Sequence, residues 1–100
     1  MDPAIPDIKI SDVVVSTAGR DQGELFYVIG EDGLFLLLAN GKDRPLDRPK
    51  RKKRKHVQKV LRSETRVAEK LRCGDKVLNS ELRRDLAFHA GQMQVDNLGG

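Results

Sequence analysis

The stretch from Asp12 to Gly30, DVVVSTAGRDQGELFYVIG, constrains the fold more than any other part of the chain. Val13, Val14 and Val15 are β-branched and lie between Asp12 and Ser16, so a short strand is expected there. Residues 18–23, AGRDQG, carry two glycines and an aspartate and no large apolar side chain, which is turn chemistry. Leu25 to Ile29 is apolar again and predicts a second strand. A chain that opens as strand, tight loop and strand is committed to an antiparallel sheet, and a small sheet must then find a way to protect its edges.

The same rhythm continues. Gly30-Glu31-Asp32-Gly33 predicts a turn, with Asp-Gly a strong hairpin signal. Leu34 to Ala39, LFLLLA, is short, apolar throughout and flanked by Asp-Gly and Asn-Gly, which favours a strand buried on both faces over a helix. Asn40-Gly41 suggests a type I′ turn. Arg44-Pro45-Leu46 is a short edge strand at best, because Pro45 has no N–H to give a ladder, and Pro49 closes it. Lys55 to Leu61 predicts a closing strand anchored by Val57. Five short strands in about fifty residues point to a mainly β unit, a small closed or nearly closed barrel over residues 9–62. Residues 1–8, with Pro3 and Pro6, read as a flexible lead.

After Leu61 the period changes to that of a helix. Ser63 is placed to cap one, Glu64 suits its first turn, Val67, Ala68 and Leu71 share a face, and Gly74 is the stop. A second helix is expected from Asn79 or Ser80, with Leu82 and Leu86 on one face, ending near Gly91. Residues 63–91 are thus a helical extension and 92–100 a frayed tail. Two helices this short need a surface to dock on, the barrel or a partner.

A chain of 100 residues is one domain's worth. Its N-terminus has neither the basic nor the apolar region of a signal peptide, and no apolar run approaches the length of a spanning helix, so a cytoplasmic protein without a membrane partner is expected. Cys73 is the only cysteine and excludes an internal disulfide. With His56 and His89 it makes a poor metal set, and no metal or cofactor is expected. No nucleophile–base pairing, acid pair or phosphate-binding glycine loop of the nucleotide-hydrolase type suggests catalysis.

Charge is strongly segregated. Residues 42–62 hold eleven Lys and Arg against Asp43 and Asp47, while residues 1–41 hold two cations against seven acids. Within the basic segment 48–56, RPKRKKRKH, seven of the eight residues 48–55 are cations. Such a run has three readings: a solvated segment, a nuclear localisation signal, or a nucleic-acid contact. Its charges repel one another and call for an opposing anion, which favours the third. The phosphate attraction is common to RNA and DNA, so charge alone does not choose between them. Stacking gives little help. Phe26 and Phe35 belong to apolar strands and read as core, leaving Tyr27, of opposite parity to Phe26, to face out. One stacking residue suits a reader of structured RNA, working through backbone and shape, better than a single-strand reader. His56 is either a contact residue or a satisfied histidine at a strand start, and His89 sits favourably near a helix C-terminus.

The strand–loop–strand of residues 12–29, with Gly23 at the position of the family's glycine, resembles the KOW motif of translation and transcription proteins. The segment LLLANGKDRPLDRPKRKKRKH resembles the hairpin and basic segment of small bacterial KOW-domain RNA-binding proteins, akin to archaeal and eukaryotic-type large-subunit ribosomal proteins. The likeness covers roughly residues 10–62, and extends to the helical tail. Gln22 departs from it, standing where many members have lysine. The resemblance implies an SH3-like five-stranded barrel, a non-enzymatic role, and ribosomal or other structured RNA as partner, on or near the large ribosomal subunit. The expected RNA-contacting residues are Arg20, Lys42, Arg44, Arg48, Lys50, Arg51, Lys52, Lys53, Arg54, Lys55 and His56, with Gly19 and Gly23 shaping the loop. A monomer is expected off the ribosome. Two other functions stand beside this one: a protein–protein adaptor using the barrel or the C-terminal helices, and a non-specific DNA binder.

Overall fold

The computed structural model describes residues 7–99, with side chains described as far as Met93. Five antiparallel strands form one sheet: β1 (Asp12–Ser16), β2 (Leu25–Asp32), β3 (Phe35–Ala39), β4 (Lys50–Lys53) and β5 (Val57–Arg62). Two helices follow, α1 (Arg66–Cys73) and α2 (Asn79–Gly99). The strand order is β4-β3-β2-β1-β5. The mainly β architecture with a helical tail is as expected.

The sheet is curled but not closed. β4 and β5 lie at opposite ends of the order and do not pair, yet only the 3-10 turn Arg54–His56 connects them. So short a link cannot cross a flat five-stranded sheet, since strands stand ~4.8 Å apart. The sheet therefore bends until its two edges meet at that turn, where Thr17 N–H donates to the His56 carbonyl at 2.9 Å. Register slips between Val13 and Val14 in the β1–β5 ladder, and between Val28 and Gly30 in the β2–β3 ladder, supply bulges that add curvature.

Each face of the sheet has its own core. Val14, Phe26, Val28, Leu36, Leu38 and Val57 fill the concave side together with Ile8. Val13, Tyr27 and Ala39 point the other way and meet Val67, Ala68, Leu82 and Leu86 of the helices. Period-two alternation along β1 and β2 serves both layers, which is why these strands are apolar at nearly every position. The helices have found the sheet as their docking surface.

Several boundaries differ from expectation. β2 continues through Gly30 to Asp32, and the turn contracts to Gly33-Leu34. The glycine at position 30 suits the strand rather than a turn, because Leu37 leaves no room for a side chain: a Cβ there would lie 2.9 Å from Leu37 Cδ1. Leu34 consequently leaves the strand and is 63% exposed. Asn40-Gly41 does not make a hairpin turn. The Asn40 side chain accepts from the N–H groups of Lys42 and Arg44, and folds residues 40–49 into a loop. Arg44–Leu46 lies in that loop, and the fourth strand is instead Lys50–Lys53, inside the basic run. The closing strand begins at Val57, because residues 54–56 form the 3-10 turn.

Thr65, not Ser63, caps α1, its hydroxyl accepting from Ala68 N–H at 3.2 Å. Gly74 ends that helix in the left-handed conformation as predicted. α2 does not stop at Gly91 but runs on to Gly99, so most of the expected tail is helical; one interior glycine costs about 1 kcal/mol, too little to end a helix by itself. At the other end, Ile8 is buried in the concave core and belongs to the fold rather than to a loose lead, of which residues 1–6 lie outside the described residues.

Candidate nucleic-acid interface

β4 is an edge strand, and its alternation divides the basic run into two faces. Lys50 and Lys52 lie opposite Leu38 and Leu36, and turn toward the β1–β2 loop. Arg51 and Lys53 lie opposite Leu37 and Phe35 on the outer face.

The inward pair is held by one carboxylate. Asp21 accepts from Lys50 Nζ at 2.7 Å, from Lys52 Nζ at 2.8 Å and from the Ser16 hydroxyl at 2.7 Å. Lys52 Nζ also donates to the Ala18 carbonyl at 2.7 Å. Burial alone would raise the Asp21 pKa, but the hydrogen bonds from Lys50, Lys52 and Ser16 outweigh it and hold the carboxyl well below its ordinary range. Gly19 and Gly23, at φ 89° and 91°, let the loop turn tightly enough to aim Asp21 at the strand. Their part here is backbone geometry.

Arg54 is also engaged. Nε donates to the Gly33 carbonyl at 2.7 Å, Nη1 to the Ile8 carbonyl at 2.8 Å and Nη2 to Glu31 at 3.1 Å. It ties the β2–β3 turn and the N-terminal segment to the 3-10 turn. Arg51 pairs with Asp32 at 3.1 Å and lies over the Phe35 ring, in a setting open to solvent. The anions that a dense basic run calls for are thus partly internal: Asp21, Glu31 and Asp32 come from the acidic first third of the chain.

The remaining expected contact residues have no such duties. Arg20, Lys42, Arg44, Arg48, Lys53 and Lys55 are exposed and form no ion pair among the described residues. Arg20 of the β1–β2 loop and Arg44 of the β3–β4 loop line a cleft of about 330 Å³ with Lys50. Asp21, Glu24, Asp43 and Phe26 complete its lining. His56 is half-buried in the 3-10 turn, where its carbonyl fixes Thr17.

Tyr27 does not face out. It is fully buried against the helices, and its hydroxyl is the centre of a polar cluster. That hydroxyl donates to Asp85, and lies 2.8 Å from Ser63 Oγ and 3.1 Å from His89 Nε2. Ser63 Oγ is 3.1 Å from the same His89 nitrogen, and Thr65 donates to Asp85 at 2.8 Å. Burial, then the bond to Asp85, pushes the phenol up to about 12. His89, expected near a helix end, is instead buried in the body of α2. The exposed aromatic is Phe88, at 54%.

Sequence reasoning missed Asp21, Glu31 and Asp32 as counter-ions, and Phe35 as the support beneath Arg51. The available signal was the acidic bias of residues 1–41, which said that carboxylates were present but not which would meet β4. Among the described residues no three His, Cys, Asp or Glu side chains group as a metal site, and no helix is long and apolar enough to cross a membrane. No known protein family's model matches this chain, and no curated protein matches it.

Proposed function

We propose that this chain is a non-enzymatic RNA-binding protein of the KOW type, built on an SH3-like barrel and acting in translation on ribosomal or similarly structured RNA. The observation that carries this reading is the set of cations left exposed and without an ion pair among the described residues: Arg20 of the β1–β2 loop, Lys42, Arg44 and Arg48 of the β3–β4 loop, Lys53 of the edge strand and Lys55 of the 3-10 turn. A single charged segment serves many purposes. Uncommitted cations contributed by separate segments suit a phosphate backbone that passes across them. Asp21 supports this role by neutralising the inward lysines and stiffening the strand that carries the outward ones. The strand order, and the 3-10 link that brings the sheet's two edges together, support the barrel type.

The test uses cations that have no structural duty. A variant with Arg20, Arg44, Arg48, Lys53 and Lys55 all changed to Gln is expected to melt like the parent, and to lose at least tenfold in affinity for a structured ribosomal RNA fragment, by roughly one phosphate contact per cation that engages. The parent's log–log salt slope should be about −2 to −3 if three contacts form. Unchanged affinity in the folded variant overturns the interface. Equal binding to a DNA duplex replaces RNA by nucleic acid in general. Sedimentation of the tagged protein with large ribosomal subunits, at low and high salt, tests the translational role, and a protein that stays at the top of the gradient at both salts refutes it.

A further inference from the structure

The outer face of β4 carries a feature that phosphate binding does not need. Arg51 Cζ sits 3.7 Å from the centroid of the Phe35 ring. Its Nε donates to Asp32 Oδ2 at 3.1 Å. One face of the guanidinium is therefore covered by an aromatic ring, and one edge is fixed by a carboxylate. The side chain as a whole is still 56% exposed. Lys53 lies directly opposite Phe35 in the ladder, on the same outer face of β4, and is exposed. Leu34, the residue before Phe35 in the chain, is an exposed apolar side chain at the neighbouring turn.

We infer that Arg51, held over the Phe35 ring by Asp32, is a stacking platform for one unpaired nucleobase, with Lys53 placed for the adjoining phosphate. Guanidinium planes accept nucleobases as aromatic rings do, and a plane held in advance spares the ordering cost of a free arginine. A base locked in a helix cannot reach such a platform, because its faces are already stacked. The ligand feature is therefore a bulged or looped-out base within structured RNA. This rests on the RNA-binding reading above, and adds to it a preference that backbone contacts alone do not create.

Two RNA hairpins decide the matter, identical except that one carries a single-nucleotide purine bulge. The parent protein is expected to bind the bulged hairpin at least about fivefold more tightly, in keeping with the value of one stacked base. Arg51→Lys keeps the charge but not the plane. It should lose the preference for the bulge, binding the two hairpins equally, while the retained positive charge keeps the parent's salt slope. A 2-aminopurine placed in the bulge should lose fluorescence on binding the parent and not the variant. The platform is refuted if Arg51→Lys retains the preference, or if the parent shows none while binding both hairpins; the RNA-binding reading survives either result. Failure of the parent to bind either hairpin refutes the underlying reading as well.

Discussion

Asp21 shows how one residue can decide what its neighbours are free to do. Its carboxylate meets two lysines and a serine hydroxyl, and Lys52 is nearly enclosed with it. Removing one member of such a pair leaves the other charge without a counterpart, which costs about 3 kcal/mol. Asp21→Asn is therefore expected to lower the unfolding free energy by about that much near neutral pH. The pH dependence has a definite sign. The folded pKa lies below the ordinary 3.8, so this stabilisation is complete above that value and is lost as the pH falls through the folded pKa. Urea melts at neutral and acidic pH should show the parent losing more stability on acidification than Asp21→Asn. Equal acid losses in the two would mean that Asp21 is not the dominant titrating group. The same geometry separates the cations of the run by role, with Lys50, Lys52 and Arg54 binding the fold together while Arg48, Lys53 and Lys55 remain available.

Among the elements, the loop between β3 and β4 depends most on a single backbone position. Gly41 has φ 77°, and a Cβ there would lie 2.4 Å from the Asn79 carbonyl oxygen at the start of α2. Arg83 Nη1 donates to the Gly41 carbonyl at 2.5 Å, and Asn79 Oδ1 accepts from Leu46 N–H at 2.8 Å. The loop and the first turn of α2 are thus clasped at backbone contact. Gly41→Ala combines the left-handed penalty with a collision against backbone, and is expected to cost at least about 2 kcal/mol. Gly23→Ala has a comparable φ but open space, and should cost about 1 kcal/mol. Thermal melts of the two variants check the order, and a Gly41→Ala protein as stable as Gly23→Ala would refute the clasp. The loop carries Lys42 and Arg44, so this contact also positions part of the candidate interface.

At the scale of the molecule, sheet and helices are joined through Tyr27. It brings Ser63, Thr65, Asp85 and His89 together from the end of the sheet, the cap of α1 and the body of α2. Tyr27→Phe removes the central hydroxyl and leaves its partners short of a bond, at a cost of about 1–3 kcal/mol. The folded state holds the phenol neutral up to about 12, against an ordinary 10.0. That part of the stability is complete below pH 10 and is lost as the pH rises through about 12. Tyr27 is the only tyrosine, so an ultraviolet titration of phenolate reports it alone. A midpoint near the ordinary value would show that the helices do not seal this cluster.

Much of the fold was legible because its signals are local. The valines of β1, the glycines of the 18–23 loop, the apolar runs of β2 and β3 and the Gly74 stop each depend on near neighbours, and each appears in the structure. The fourth strand was not legible, because Lys-Arg-Lys-Lys has no apolar alternation of its own and becomes a strand only where Asp21 receives its inward side. Tyr27 was misplaced because parity shows that it opposes Phe26, but not that helices cover that second face. For the interface, the sequence by itself determined which residue types concentrate between 42 and 62, and that acids dominate before them. Only the tertiary structure decided which of those charges cancel. Ion pairing depends on distances of a few ångströms between segments far apart in the chain, and those distances do not exist until the sheet curls and brings its loops to the edge strand.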